Sequence, residues 1–378
     1  MKKVLLMVTL LSPLFNFAQD KKPLPKTFDL VVGTYTTGTS KGIMVYRFYT
    51  QSGKLAYLSQ VDGVTNPSYL QVSKNNKFIY AVNELPKGEV SAFSFDAKTG
   101  KIDFINKQSS LGADPCYIAV DKAQKTAFVA NYSSGQVTVL PINKDGSLGA
   151  GIETVRNEEG KGPNKERQEG PHAHMSILSP DEKYLFYNDL GTDRINIYRF
   201  KPGKDSPLTG ANPSFVSVTP GDGPRHLEYS LDKKHVFLAT EMGSNVFVFD
   251  YDGGKFKQKQ VISLLPDGFT GKTAAAAIHL SPDGRFLYVS NRLETNEIIC
   301  FSVNQETGAL TFVSRQSSFG KNPRDFAIDP TGNFMVVANQ SSDSMFVFRI
   351  DQNTGKLTQT GIKVDIGNPV CLKFTPAE

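Results

Sequence analysis

The sequence predicts an all-β fold: a seven-bladed β-propeller whose ring closes when the C-terminal strand joins the first blade. Three observations predict it. A set of short β-rich runs recurs about every fifty residues, two unrelated markers both count seven recurrences, and the piece missing from the first repeat stands at the end of the chain.

The clearest unit reads NPSYLQVS from Asn66, FIYAVN ending at Asn83, VSAFSF from Val90, and a TGKI turn from Thr99. Each run is rich in β-branched and aromatic residues and is bounded by turn formers, so each unit supplies about four strands. Aligning the end of the second strand in every unit gives Gly33, Asn83, Asn131, Asp189, Thr240, Asn291 and Asn339, at spacings of 50, 48, 58, 51, 51 and 48. The second marker is the hairpin QSGKL and its counterparts AKTGKI, NKDGSL, GKDSPL, YDGGKF, QETGAL and QNTGKL, each placing Gly, Asp or Pro where the chain reverses. The first repeat begins at its second strand, FDLVVGTYT. Residues 368–376, NPVCLKFTP, match the first strand of the other units and are expected to pair there, removing exposed sheet edges.

The chain opens with Lys2, Lys3, an apolar run from Val4 to Leu11 and a weakly polar stretch to Ala18, the pattern of a secretory signal peptide. Residues 1–18 are read as that peptide and residues 19–378 as a single propeller domain, periplasmic or secreted. The apolar run is too short for a permanent membrane span and no later window replaces it, so no membrane partner is expected. Removing residues 1–18 takes away two lysines and no acid, lowering the formal net charge from +5 to +3. So small a charge excludes a general electrostatic grip on nucleic acid. Oligomeric state leaves no mark on the sequence. Cys116, Cys300 and Cys371 are too few for a disulfide scaffold and read as packed thiols.

In a propeller the first strand of each blade lines the central channel, so positions at its start can be compared around the ring. Aligned with Ser68 stand Cys116, His174, Arg225, Ala276, Arg324 and Val370. The antiparallel second strand returns to the same level, and just beyond its anchors stand Glu84, Glu241 and Arg292. These residues are expected at one mouth. The connection from about Glu153 to Gly170 leads into blade four at that mouth and reads as a rim or lid loop. Guanidinium groups gathered there imply an acidic ligand. A histidine among them is expected to be neutral and able to take a proton from water, with Glu241 held by Arg225 as the alternative base. A hairpin salt bridge between Arg225 and Glu241 is the purely structural alternative. His172 and His174 alternate on a strand, but two histidines without a third ligand fall short of a zinc site, so no metal and no cofactor are expected. His235 reads as a packed histidine, and His279 is undecided.

GPNKERQEGPHAHMSILSPDEKYLF, GDGPRHLEYS, AAAAIHLSPDGRFLYVSNR and NPRDFAIDPTGNFMVVAN resemble the lactonase family of seven-bladed propellers, over nearly the whole chain from Leu30 to Phe374. That family includes propeller-type 6-phosphogluconolactonases and fungal carboxy-cis,cis-muconate lactonizing enzymes. The resemblance implies a metal-free lactone hydrolase, a carboxylic-ester hydrolase of carbohydrate metabolism. It carries over His174, with His172 second to it, Arg225 from GPRH, Glu241 sixteen residues on, and Arg292 from SNR as catalytic residues; His172, Arg324 and Glu84 are expected to bind substrate. Arg225 and Arg292 would hold an acidic group and the lactone carbonyl. The signal peptide departs from a cytoplasmic pathway role and points to an aldonolactone or uronic-acid lactone. The alternatives are a lactone-forming, muconate-type cycloisomerase and a non-catalytic propeller that binds an acidic sugar or a protein.

Overall fold

The computed structural model describes residues 24–157 and 160–377. The expected signal peptide lies outside the described residues. The chain forms seven four-stranded antiparallel sheets arranged as the blades of a propeller. Among the described residues the only helical element is a 3-10 turn, Gln340–Ser342.

The two markers read from the sequence fall where they were expected. Second strands end on Asn83, Asn131, Asp189, Thr240 and Asn339; the first runs one residue past Gly33 to Thr34, and the sixth two past Asn291 to Leu293. Six blades take their strands in chain order. Blade one takes its innermost strand, Pro369–Pro376, from the C-terminus: it pairs with Thr27–Thr34 in a register that sets Phe28 opposite Pro376 and Val32 opposite Leu372. Closure is reinforced by a side chain from blade seven, because Asp325 Oδ2 accepts the Leu372 amide at 2.8 Å.

The core is distributed between blades. Leu30, Val32 and Phe48 of blade one pack against Phe334, Val336, Met345 and Val347 of blade seven, with the Phe48 and Phe334 rings edge to face at 5.9 Å. The hairpin marker has a packing reason besides its turn. Gly53, at φ +73°, lies on Phe334 of the neighbouring blade, where a Cβ would come within 2.8 Å of the ring. Second strands such as His235–Thr240 are buried throughout, whereas outermost strands such as Lys255–Ser263 expose their polar face and blunt the blade edge with lysines.

One feature of the innermost strands positions the site. The pairing of first and second strands breaks at the same place in several blades: between Pro115 and Tyr117, Ala173 and Met175, Pro224 and His226, and Pro323 and Asp325. A bulge of this kind re-aims side chains at the strand's end. The residues that fall in the breaks are Cys116, His174, Arg225 and Arg324, the series aligned from the sequence. Glu153–Arg156, expected to begin the long rim connection, instead forms the outermost strand of blade three, paired with Gln136–Val139. The alternation of polar and apolar residues was hidden there by the charged stretch that follows.

Candidate active site

The channel mouth holds a cavity of about 270 Å³ lined by Tyr35, Glu84, Cys116, Tyr132, Arg167, His174, Glu241 and Arg324. A larger cleft of about 440 Å³ at the surface, lined by residues that include Asn75, Phe78 and Lys125, contains no carboxylate or histidine. At the mouth two carboxylates, two arginines and a histidine line one cavity.

Glu241 follows the second strand of blade five directly and is the hub. Its Oε2 receives Arg225 Nε at 3.0 Å and Arg292 Nη2 at 3.0 Å, its Oε1 receives Arg167 Nη2 at 2.8 Å, and His174 Nε2 stands 3.7 Å from Oε2. Burial alone would push this carboxyl up; Arg292, Arg225, His174 and Arg167 outweigh it and hold the group well below the usual carboxylate range. Glu241 is therefore a fixed anion and a weak base.

His174 is buried, with Cys116 Sγ 3.9 Å from its Nδ1. Burial and then the nearby Arg225 hold its imidazole well below the ordinary value of 6.5, so it is neutral at pH 7. Beneath it His226 meets the His174 ring edge to face at 5.3 Å and abuts Tyr117, which is stacked on Tyr69 at 4.1 Å. These rings form an apolar floor.

Arg225 and Arg292, expected to hold the ligand, are not among the lining residues and both turn donors to Glu241. Arg225 donates to Glu241 and its carbonyl is held by Asn188 Nδ2 at 3.0 Å. Arg292 spends its donors on Glu241 and on the carbonyls of Ala274 and Ala275, both at 3.2 Å. Two buried cations sharing one carboxylate satisfy a charge that would otherwise be too costly to bury. The salt bridge between Arg225 and Glu241 thus exists as the structural alternative had it, but within a cluster that opens on a cavity.

Arg324 differs. Its guanidinium lies over the Tyr35 ring at 5.4 Å and lines the cavity, with no ion pair to a carboxylate among the described residues. Glu84, across from it, accepts both Tyr35 Oη, at 2.9 Å to each oxygen, and Ser68 Oγ. His172 is not in the lining: its Nδ1 lies 3.1 Å from the Tyr132 carbonyl of blade three and its Nε2 3.0 Å from Glu169 of the rim loop, so it stands between the two. The pairing break at Ala173 separates it from the His174 environment.

Three lining residues went unnoticed in the sequence. Arg167 belongs to the rim loop, which is fastened by the buried Gln168 through its bond to the Leu190 carbonyl at 2.9 Å. Tyr132 follows the anchor Asn131 as Glu241 follows Thr240, and Tyr35 is two residues past Gly33. The register that picked out Glu84, Glu241 and Arg292 would have found Tyr132 had it not been restricted to charged side chains.

His235 is packed as expected, its Nδ1 3.2 Å from Asp250. His279 stands lower on the inner strands, between Glu228 at 3.6 Å and Asp325 at 3.3 Å. All three cysteines are buried and free. Among the described residues no group of three or more His, Cys, Asp and Glu is arranged to hold a metal ion, and no helix is long and apolar enough to cross a membrane.

The family described as lactonase, 7-bladed beta-propeller, matches residues 29–374, which contain every lining residue. The chain belongs to this lactonase family. Its relatives include a 6-phosphogluconolactonase of Bacillus subtilis, 38% identical over 346 residues that cover 91% of this chain and 97% of that one. Another, from Formosa agariphila, is 34% identical over 338 residues, 87% of this chain and 94% of its own. The solved structure of a periplasmic gluconolactonase from Pseudomonas aeruginosa superposes with a TM-score of 0.90 at 38% identity, covering 93% of this chain and all of that one. In this lactonase the match runs through the closing strand, so the ring and its mouth are shared features of the family rather than a local likeness.

Proposed function

We propose that this protein hydrolyses the lactone of a sugar acid by metal-free attack of water, outside the cytoplasm. The observation that carries the reading is the pairing of a neutral His174 with the fixed Glu241 anion at the wall of a cavity that also holds the uncommitted guanidinium of Arg324.

The chemistry follows from that arrangement. A neutral imidazole takes a proton from water as the water oxygen attacks the acyl carbon. The imidazolium so formed lies 3.7 Å from Glu241, which the arginines keep ionised, so the charge pair develops only as the barrier is climbed. Arg324 holds the acidic substituent or the developing oxyanion, where a positive charge in a secluded site lowers the barrier most. Arg225 and Arg292 act through Glu241. Glu84 orients Tyr35 and binds sugar hydroxyls. The relatives support lactone chemistry, and the Pseudomonas protein in particular is called a periplasmic gluconolactonase. The signal-peptide pattern of residues 1–18 supports the same compartment.

The experiment is acid release by the purified mature protein from phosphorylated and unphosphorylated aldonolactones and from uronic-acid lactones, corrected for spontaneous hydrolysis. Saturable turnover of at least one class is expected. Inertness toward all of them, with a ligand still bound, would leave the non-catalytic reading; turnover of an unsaturated diacid alone would replace hydrolysis with cycloisomerisation.

A further inference from the structure

We infer that Tyr132 is a further catalytic residue: its hydroxyl, held by Arg167, protonates the ring oxygen that leaves as the lactone opens. The inference rests on the lactonase reading and adds a second proton-transfer group to it.

Hydrolysis of a lactone needs two proton transfers at different places. One proton leaves the attacking water and another must reach the alkoxide expelled from the acyl carbon, since an alkoxide is a poor leaving group at neutral pH. His174 serves the first. Glu241, ionised and surrounded by three arginines, has no proton to give to the second.

Tyr132 has one. Its main chain is tied on both sides, its amide to the Asp114 carbonyl at 2.9 Å and its carbonyl to His172 Nδ1 at 3.1 Å. Its ring is stacked on His172 at 4.6 Å and meets the His174 ring edge to face at 5.6 Å, which places the phenol at the wall beside the base. The hydroxyl oxygen accepts Arg167 Nη2 at 3.0 Å, and the same nitrogen donates to Glu241 Oε1 at 2.8 Å. With its oxygen occupied as an acceptor, the hydroxyl turns its hydrogen elsewhere, and the side chain lines the cavity. Burial pushes the phenol up and the Arg167 hydrogen bond works against that. A phenol is by nature a far stronger acid than the aliphatic alcohol it serves.

The step balances. A bond forms between the water oxygen and the acyl carbon as His174 takes a water proton and the carbonyl electron pair moves to its oxygen. The pair returns, the bond from acyl carbon to ring oxygen breaks, and that oxygen takes the Tyr132 proton. The phenolate, stabilised by Arg167, then recovers a proton from the imidazolium through water. One water has been added across one acyl bond, and both side chains end as they began.

The test is Tyr132→Phe, which keeps the ring contacts to His172 and His174. On an aldonolactone kcat should fall about 100-fold, the low end for general acid catalysis, with KM changed by less than about 3-fold. The wild-type kcat should decline at high pH as the phenol ionises, and the variant should lose that decline. Arg167→Gln should move the decline to higher pH. On dihydrocoumarin, whose leaving group is itself a phenol, the variant should lose less than about 5-fold. Wild-type turnover of the aldonolactone by the variant, or an alkaline decline unchanged in it, overturns the assignment, and an equal loss on both lactones reduces Tyr132 to packing. A wild-type protein inert on every lactone overturns the lactonase reading itself, which is a different result from any of these.

Discussion

Arg225 and Glu241 are joined across one hairpin of blade five, Nε to Oε2 at 3.0 Å, and of the two only Glu241 lines the cavity. Arg225 is buried behind the carboxylate, whose second oxygen is held by Arg167 at 2.8 Å. The pair's work is to keep an anion in one place beside His174. Arg225→Ala is therefore expected to abolish turnover, by about 100-fold or more, without unfolding the ring. Glu241 keeps Arg292 and Arg167 in that variant, so the cost of about 3 to 5 kcal/mol for orphaning a buried charge is not incurred in full. Turnover and a thermal melt on the same sample check both halves, and wild-type activity in the variant sinks the assignment.

The depressed imidazole sets a pH profile. Because burial and Arg225 hold His174 well below 6.5, the acid limb of kcat/KM should lie below the range of an ordinary histidine, and activity should be flat through pH 6.5 to 7.5. His174→Gln should remove the limb together with most of the rate. A limb centred at or above 6.5 would assign the base elsewhere.

Arg324 is proposed to carry the substrate's charge. Its guanidinium rests on Tyr35 in the cavity lining, with no carboxylate ion pair among the described residues, so Arg324→Gln should raise KM for an anionic lactone about tenfold and hardly change a neutral one. Steady-state kinetics on a matched pair of lactones separates this from a general loss. An equal rise for both would make Arg324 structural.

How far these residues could be read from the sequence follows from what carries them. His174, Arg225, Arg324, Glu84, Glu241 and Arg292 sit on, or directly after, strands whose repeat places them by register, and the repeat is written in turn residues and alternation. Arg167 was out of reach, because the path of the rim loop is set by Gln168, Asn164 and the Leu190 carbonyl rather than by any period. The roles were less legible than the places. That Arg292 would donate to the carbonyls of Ala274 and Ala275 depends on the pairing register of its own blade's first two strands, which shifts between Ala275 and Ile278 and which the repeat does not state. The bulges at the innermost strands also changed the meaning of neighbours: His172 and His174 alternate in sequence, yet one fastens a loop and the other faces the cavity.

His279 ties the lower channel together. It lies between Glu228 of blade five, 3.6 Å from Nδ1, and Asp325 of blade seven, 3.3 Å from Nε2, and Asp325 in turn holds the closing strand through Leu372. Burial alone would lower its pKa, but the hydrogen bonds to Asp325 and Glu228 raise it to about 8. A folded value above the unfolded value of 6.5 means the stabilisation is fully present below about pH 6.5 and is lost as pH rises through 8. Its size is at most about 2 kcal/mol, since each pKa unit is worth about 1.4 kcal/mol and the ring is partly open to solvent. Thermal melts of the wild type should thus drop between pH 6 and pH 9. His279→Gln should flatten that slope and bring the low-pH melting temperature down toward the high-pH one. The prediction isolates closure from chemistry, because His279 does not line the catalytic cavity: a variant that loses the slope should keep its turnover at pH 7. An unchanged slope in His279→Gln would mean that the ring is held shut by strand pairing and the apolar seam between blades one and seven alone.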